Sequence, residues 1–199
     1  FPTRRSSDLQ AIGAATTITK TAGTTATTIY VGSLSPVSAS SPVANNGVLS
    51  GIQAALVVAG LGQDNLYLDD TGDLVAINGT LSATKLTGLG MAAAGIQYSG
   101  IAQLQLNLGA GTSTGAAQNN FNVVSTNSIT TTKLTRPTTT NAANFNLGSK
   151  EPASGGFVDN LQGAIIIAAG GKDVLNVDDT GATRSKNGPL AGFLTASTL

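Results

Sequence analysis

The sequence predicts an all-β protein, a right-handed parallel β-solenoid in which successive coils of the chain stack along one axis. Three observations predict it: short stretches of alternating apolar and polar residues, Gly and Asn between those stretches, and a long internal duplication. Alternation with period two over three to five residues is typical of half-buried strands. Gly and Asn favour the corners between strands because they tolerate positive φ.

Two kinds of apolar pattern mark the predicted strands. Continuous runs at 54–59 and 164–169 indicate strands that are buried more deeply, and their β-branched residues favour strand over helix. The alternating apolar positions are Ile29/Val31, Leu66/Leu68, Leu104/Leu106/Leu108, Phe121/Val123, Phe145/Leu147 and Leu175/Val177.

The internal duplication joins residues 47–72, the first stretch, to residues 156–181, the second stretch. The two align without a gap, with Gly47 on Gly156, and 11 of 26 positions are identical. A further block matches upstream, 26–33 against 142–149. We therefore expect residues 10–199 to be one continuous solenoid fragment with a 109-residue repeat. With about 20–25 residues in each coil, a repeat would hold four or five coils stacked about 4.8 Å apart.

The alternative fold is a tandem array of immunoglobulin-like β-sandwiches, because a duplication of about 100 residues has the size of that domain. Such an array is also all-β. The absence of Trp, the aromatic content of 4% and the uneven spacing of the strands favour the solenoid.

The first nine residues, FPTRRSSDL, resemble the translation of a short-read sequencing adapter. We set residues 1–9 aside as a non-native segment. The remainder is expected to be a piece of a longer polypeptide.

Composition excludes several classes of function. The chain has no Cys, His or Trp, which removes disulfides, thiolate chemistry, the usual zinc sites and serine–histidine catalysis. Without residues 1–9 it keeps eight basic and nine acidic side chains, so no basic footprint predicts nucleic-acid binding. No apolar run approaches the ~20 residues of a membrane-spanning helix.

One segment resembles a known family. AGLGQDNLY (59–67) is similar to the nonapeptide of RTX proteins, Gly-Gly-x-Gly-x-Asp-x-Leu-x, and AAGGKDVLN (168–176) keeps Gly171, Asp173 and Leu175 of that pattern. The wider chain is similar to repeats of very large secreted bacterial proteins related to hemolysin-type β-solenoids. In RTX proteins the resemblance implies Ca²⁺ held between successive turns by the Asp carboxylate and turn carbonyls. Here each copy of the repeat holds a single nonapeptide, instead of several in tandem.

Both stretches end in Asp-Asp-Thr-Gly, which has three interpretations. It forms a structural corner, with an Asp side chain accepting backbone hydrogen bonds and Gly supplying positive φ. It binds calcium through carboxylates and turn carbonyls. It supplies paired carboxylates for acid–base cleavage of a polysaccharide, although a catalytic site is normally built once and no basic residue recurs beside the motif. The calcium interpretation uses Asp64, Asp69, Asp70, Asp173, Asp178 and Asp179.

The leading functional expectation is a structural one. The chain is predicted to be a rigid spacer or adhesive stalk segment of a large secreted or cell-surface bacterial protein, with no catalytic residues. Its expected partners are surface glycans or neighbouring repeats of the same chain. The alternatives are a carbohydrate-active β-helix enzyme and a calcium-stabilised RTX-like module.

Overall fold

The structure, a computed structural model, is all-β in the residues that it describes, which are 7–35, 46–111, 119–137, 141–170 and 172–181. None of these segments is a helix, so none is a long apolar helix of the kind that crosses a membrane. The prediction of an all-β fold is confirmed. The strands are β1 (Ser7–Leu9), β2 (Thr16–Thr19), β3 (Thr28–Val31), β4 (Leu56–Asp69), β5 (Gly79–Leu81), β6 (Lys85–Gly88), β7 (Ile96–Asn107), β8 (Asn119–Val123), β9 (Thr131–Thr135), β10 (Ala143–Leu147), β11 (Ile165–Ala168) and β12 (Val174–Val177).

Most neighbouring strands run parallel, and all twelve belong to one mixed sheet. Among the described strands only the pairs β5–β6 and β6–β7 are antiparallel. Immunoglobulin-like sandwiches are built from antiparallel sheets, so the observed pairing does not fit the alternative prediction.

One ladder of parallel strands runs β1, β3, the second half of β4, the second half of β7, β9 and β11. Its inward residues stand in register: Ile29 is opposite Leu66, and Leu66 is opposite Leu104. All three side chains are buried, because stacking in register places apolar side chains one above another in a common core.

A second ladder stacks β8, β10 and β12 in parallel, with β5 along the other edge of β8. Phe121 and Phe145 lie inward, with ring centroids 6.5 Å apart. On the opposite face an amide ladder crosses all three strands: Asn146 donates to Asn122 at 2.9 Å, and Asn176 donates to Asn146 at 2.8 Å. Like amides can pair in this way only when successive strands repeat the same register.

Each coil of the first ladder, counted from one strand to the equivalent place in the next, contains more residues than the sequence led us to expect. Ile29, Leu66 and Leu104 occupy equivalent places in three successive strands, so the expected coil length is wrong for these turns. Long connections account for the difference. Residues 32–55 separate β3 from β4, and the β5–β6 hairpin lies between β4 and β7.

The predicted strands at 54–59 and 66–68 are two halves of a single bent strand, β4. Its register against β7 shifts between Ala59 and Asp64, where Gly62 adopts φ 88°. Gly60 meets Gly100 of β7 so closely that a Cβ on either would collide with the other backbone. Glycine is therefore required on both strands at this bend.

Residues 7–9, which we assigned to the adapter-derived segment, lie as β1 along the edge of β3. Backbone hydrogen bonds of this kind, such as Gly32 N–H to the Leu9 carbonyl at 3.0 Å, do not depend on side-chain identity. The origin of residues 1–9 stays a prediction. Gly171 and residues 1–6 lie outside the described residues.

The two duplicated stretches differ in burial. Leu66 of the first stretch is 0% exposed under β7, whereas its counterpart Leu175 in β12 is 46% exposed. The same residue type at the same place in the duplication therefore contributes differently to the core.

We expect Leu66→Ala to lower the free energy of unfolding by about 2–5 kcal/mol, because it opens a cavity among fully buried neighbours. Leu175→Ala is the matched control and is expected to cost less than about 1 kcal/mol, because half of its side chain already meets solvent. Urea unfolding of both variants measures the difference. Equal losses would contradict the assignment of the buried core.

Candidate functional site: the aspartate corners

The first Asp-Asp-Thr-Gly motif begins at the end of β4 and turns the chain. Asp69 Oδ1 accepts hydrogen bonds from the Thr71 backbone N–H at 3.1 Å and the Thr71 hydroxyl at 2.7 Å. Its other oxygen, Oδ2, accepts the N–H of Gly47 at 3.1 Å. The first bond closes an Asx-turn, and the last ties the end of the first stretch to its beginning. We call this arrangement an aspartate corner.

Asp70 makes a second connection at the same corner. Its Oδ1 accepts the Leu49 N–H at 2.9 Å, and its own N–H donates to the Asn107 carbonyl of β7 at 2.8 Å. The side chain is fully buried. Asp70 therefore joins the corner to the end of β7 and to the connection that precedes β4.

The second motif repeats these contacts. Asp178 Oδ1 accepts the Thr180 N–H at 2.9 Å and the Thr180 hydroxyl at 2.6 Å, and Asp178 Oδ2 accepts the Gly156 N–H at 2.7 Å. Asp179 Oδ1 accepts the Val158 N–H at 3.2 Å, as Asp70 accepts that of Leu49. Identical residues therefore make the same hydrogen bonds in both copies of the repeat, as the structural-corner interpretation predicts.

The glycines that the two stretches share are explained by the corner. A Cβ on Gly47 would lie 2.7 Å from Asp69 Oδ2, and one on Gly156 would lie 3.0 Å from Asp178 Oδ2. Any side chain at these positions would push the carboxylate away from the N–H that it binds.

Asp64 does not belong to the corner; it lies at the bend inside β4 and binds groups on both sides of that bend. Its Oδ2 accepts the Leu61 N–H at 2.8 Å, and its Oδ1 accepts the Thr27 N–H and the Lys20 ammonium, both at 2.7 Å. The side chain is buried, so the ion pair with Lys20 compensates its charge.

Asp173 has the equivalent set of partners. Its Oδ2 accepts the Gly170 N–H at 2.8 Å, and its Oδ1 accepts the Ala143 N–H at 2.9 Å. The cation is Arg136, whose guanidinium pairs with Asp173 Oδ1. A basic residue therefore pairs with the bend aspartate in each copy, whereas the Asp-Asp-Thr-Gly corners bind backbone N–H and hydroxyl groups.

The sequence contained a signal for these cations. TTITK (16–20) aligns with TKLTR (132–136) at the 116-residue offset that relates 26–33 to 142–149. Lys20 and Arg136 then fall in one column, directly after β2 and β9. The signal is weak because only two of the five positions are identical. It can be interpreted only once the strand pairing is known, because that pairing brings each cation to its aspartate.

The environments of the carboxyl groups differ. Burial raises the pKa of Asp64, but hydrogen bonds from Lys20, Leu61 and Thr27 and the Lys20 charge lower it further, so the net pKa is below the ordinary value. Hydrogen bonds from Thr180 and Gly156 hold the pKa of Asp178 below its ordinary value. Burial raises the pKa of Asp70 to about 8, and the nearby Asp73 and Asp69 add to that increase.

The structure therefore distributes the six predicted calcium ligands over several places. Asp64 and Asp173 lie at bends with a basic partner, while Asp69 with Asp70, and Asp178 with Asp179, lie at corners. Asp73, outside the predicted set, is buried beside Asp69 and Asp70. No group of three acidic side chains in the described part of the chain is arranged to hold a metal ion. One oxygen, Asp70 Oδ2, is buried without a hydrogen-bond partner in this structure.

An open groove of about 430 Å³ lies beside the β5–β6 hairpin. Its polar side chains are amides and hydroxyls: Asn78, Thr80, Thr87, Asn120 and Asn122. Two glycines and Pro152 complete the described lining, and none of these described residues carries a carboxyl or basic group that can transfer a proton.

No protein-family model, curated protein sequence or solved structure matches this chain.

We expect Asp70→Asn to stabilise the protein above pH 8 by at least about 1.4 kcal/mol, the equivalent of one pKa unit. The folded pKa, about 8, exceeds the ordinary value of 3.8, so the folded chain retains a proton that the unfolded chain releases. Stability is then complete below pH 4 and falls as the pH rises toward 8. The Asn side chain keeps an oxygen for Leu49 N–H and has no charge to bury.

Thermal or urea unfolding between pH 5 and pH 9 measures this effect. Asp179→Asn, at the exposed counterpart, is the matched control and should follow the parent chain. A parent stability that is flat over this range, or an Asp70→Asn variant that loses stability at pH 9, would contradict the assignment.

Proposed function

We propose that the chain is a structural repeat segment, a right-handed parallel β-solenoid that serves as a rigid spacer or adhesive stalk in a large secreted or cell-surface bacterial protein. The observation that carries this proposal is the duplicated corner. In both stretches the duplicated aspartates bind backbone N–H groups of their own chain, at the same positions and in the same way. Residues copied together with their structural contacts support a scaffold.

The strand arrangement supports the finer description of the fold. Parallel ladders in register, with apolar side chains stacked on one face and an asparagine ladder on the other, are what successive coils around one axis produce. β11 is the counterpart of the first half of β4, and the pairings β4–β7, β7–β9 and β9–β11 place it three strand spacings from β4, so a 109-residue repeat would rise about 15 Å.

The environment and partners follow from the resemblance to large secreted bacterial proteins. A chain with so few charges and no Cys suits a stalk whose partners are surface glycans or neighbouring repeats. The amide- and hydroxyl-lined groove beside the β5–β6 hairpin offers donors and acceptors of the kind that sugar hydroxyls use.

A calcium-stabilised module is the second candidate, and one observation favours it. Asp70 Oδ2 is buried without a partner, next to the carboxyl groups of Asp69 and Asp73. A cation there would supply the missing interaction. The first candidate explains the same oxygen as that of a protonated carboxyl group, in keeping with the raised pKa.

The enzyme alternative finds less support. Asp64, Asp69, Asp173 and Asp178 each have both carboxylate oxygens engaged by backbone groups or by a cation. A general acid or base needs an oxygen available to its substrate.

We expect millimolar calcium to leave the melting temperature unchanged relative to chelator, because Asp64, Asp69, Asp173 and Asp178 have partners for both oxygens and the buried Asp70 carboxyl group keeps its proton. A site with Kd one hundredfold below the calcium concentration would instead stabilise the fold by about 2.7 kcal/mol. Thermal melts of the parent chain and of Asp70→Asn distinguish the two candidates. A calcium-dependent rise that Asp70→Asn abolishes would establish the calcium-stabilised module in place of a metal-free corner.

We expect insertion of a second copy of residues 73–181 after Gly181 to lengthen the particle by about 15 Å without changing its cross-section. Small-angle X-ray scattering of the parent and extended chains measures both dimensions. Two separate maxima in the pair-distance distribution would instead indicate a further globular unit on a linker, and the stalk proposal would then be wrong.

A further inference from the structure

The last strands of the described chain have an unpaired edge. Among the described strands, β11 pairs only with β9, and β12 pairs only with β10. Their side chains are unusually exposed for apolar residues: Ile166 is 49% exposed, Leu175 46% and Val177 56%. An exposed apolar strand edge is a template for another strand.

The first stretch shows what covers the equivalent surface. Both halves of β4 pair in parallel with β7, so that Leu56 is opposite Ile96, Leu66 opposite Leu104, and Leu68 opposite Leu106. Leu66 and Leu68 are the counterparts of Leu175 and Val177, and under β7 they are 0% exposed. The same surface is therefore buried in the first copy of the duplication and exposed in the second.

We propose that the free edge of β11 and β12 is a docking surface for a further coil of the same repeat, entering as a parallel strand with the pattern of β7. This inference rests on the proposed function. The docked strand places a Leu104-like residue opposite Leu175 and a Leu106-like residue opposite Val177. The occupant that we propose is therefore a further copy of the coil formed by residues 95–108, at the place that β7 takes beside β4.

The polar contacts at the corner agree with this occupant. In the first stretch the Asp70 N–H donates to the Asn107 carbonyl at the end of β7. The second stretch already reproduces the carboxylate contacts of that corner, with Asp179 bound to Val158. A β7-like coil would bring an equivalent carbonyl to the Asp179 N–H and cover its side chain, which is exposed in this structure.

The test is a graft that keeps the register of the duplication. Residues 182–199 are replaced by a second copy of residues 73–111, which then follows Gly181 as the original follows Gly72. Hydrogen–deuterium exchange is measured at the β11 and β12 amides, at a concentration where size-exclusion chromatography shows monomers. We expect exchange in these strands to slow at least tenfold relative to the parent chain. The matched control carries Leu104→Asp and Leu106→Asp in the grafted copy only, and its exchange should equal that of the parent.

A second measurement tests the proposal even when the graft does not fold. In it, a synthetic peptide of residues 95–108 is added to the parent chain. It should slow the same amides, and its Leu104→Asp/Leu106→Asp version should not. Unchanged exchange with both graft and peptide would overturn the proposal. Protection in the parent alone that grows with protein concentration would also overturn it, because a second molecule would then be the occupant. The scattering of the tandem insertion tests the stalk function separately, since it measures shape and not the occupancy of this edge.

Discussion

The fold depends on carboxylates that accept backbone N–H groups from a distant part of the same chain. Asp69 binds the N–H of Gly47 and Asp178 that of Gly156, each across 22 residues. A hydrogen bond to a charged acceptor contributes about 1.5–3 kcal/mol, and leaving a buried N–H unpaired costs a similar amount. Each corner therefore fixes where a strand ends and also where the preceding connection must pass. The glycines at 47 and 156 are part of the same constraint, because only they let the carboxylate approach.

The bends within the coils use a second device, a buried ion pair. Lys20, at the end of β2, pairs with Asp64 at the bend inside β4, and Arg136, at the end of β9, pairs with Asp173 directly before β12. Loss of one partner would leave a buried, uncompensated charge, which typically costs about 3–5 kcal/mol. This explains why a chain with few charged residues retains them at equivalent places. The exchange of Lys for Arg preserves the charge while the surrounding backbone contacts stay the same.

The strands were the part most accessible to sequence reasoning. Alternation located β3, β8 and β10, because one face of each packs on a common core, and it located β12, which carries the same alternation although its side chains are exposed. It missed β2 and β9, whose Thr-rich sequences have weak apolar contrast, and the β5–β6 hairpin, which is too short to show a period. The length of each turn was underestimated because long connections leave no trace in a period-two pattern.

The aspartate corner was predictable from Asp-Asp-Thr-Gly, since Asx-turn chemistry acts over two residues. The partners Gly47 and Lys20 were not, because each depends on which strands pair. The burial of Asp70 and the exposure of Asp179 likewise follow from what lies above each stretch and not from the motif itself.

The central claim is that the two Asp-Asp-Thr-Gly motifs are equivalent, metal-free corners whose carboxylates bind backbone amides. A pH titration followed by backbone ¹H–¹⁵N NMR tests it most directly. The account predicts that the amide proton of Gly156 shifts strongly when the Asp178 carboxyl group bound to it becomes protonated. The Gly156 signal should have its midpoint below the ordinary aspartate value, and added calcium should leave the Gly47 and Gly156 signals in place. A Gly156 amide chemical shift that does not change with pH, or a calcium-dependent shift at Gly47 or Gly156, would contradict the account.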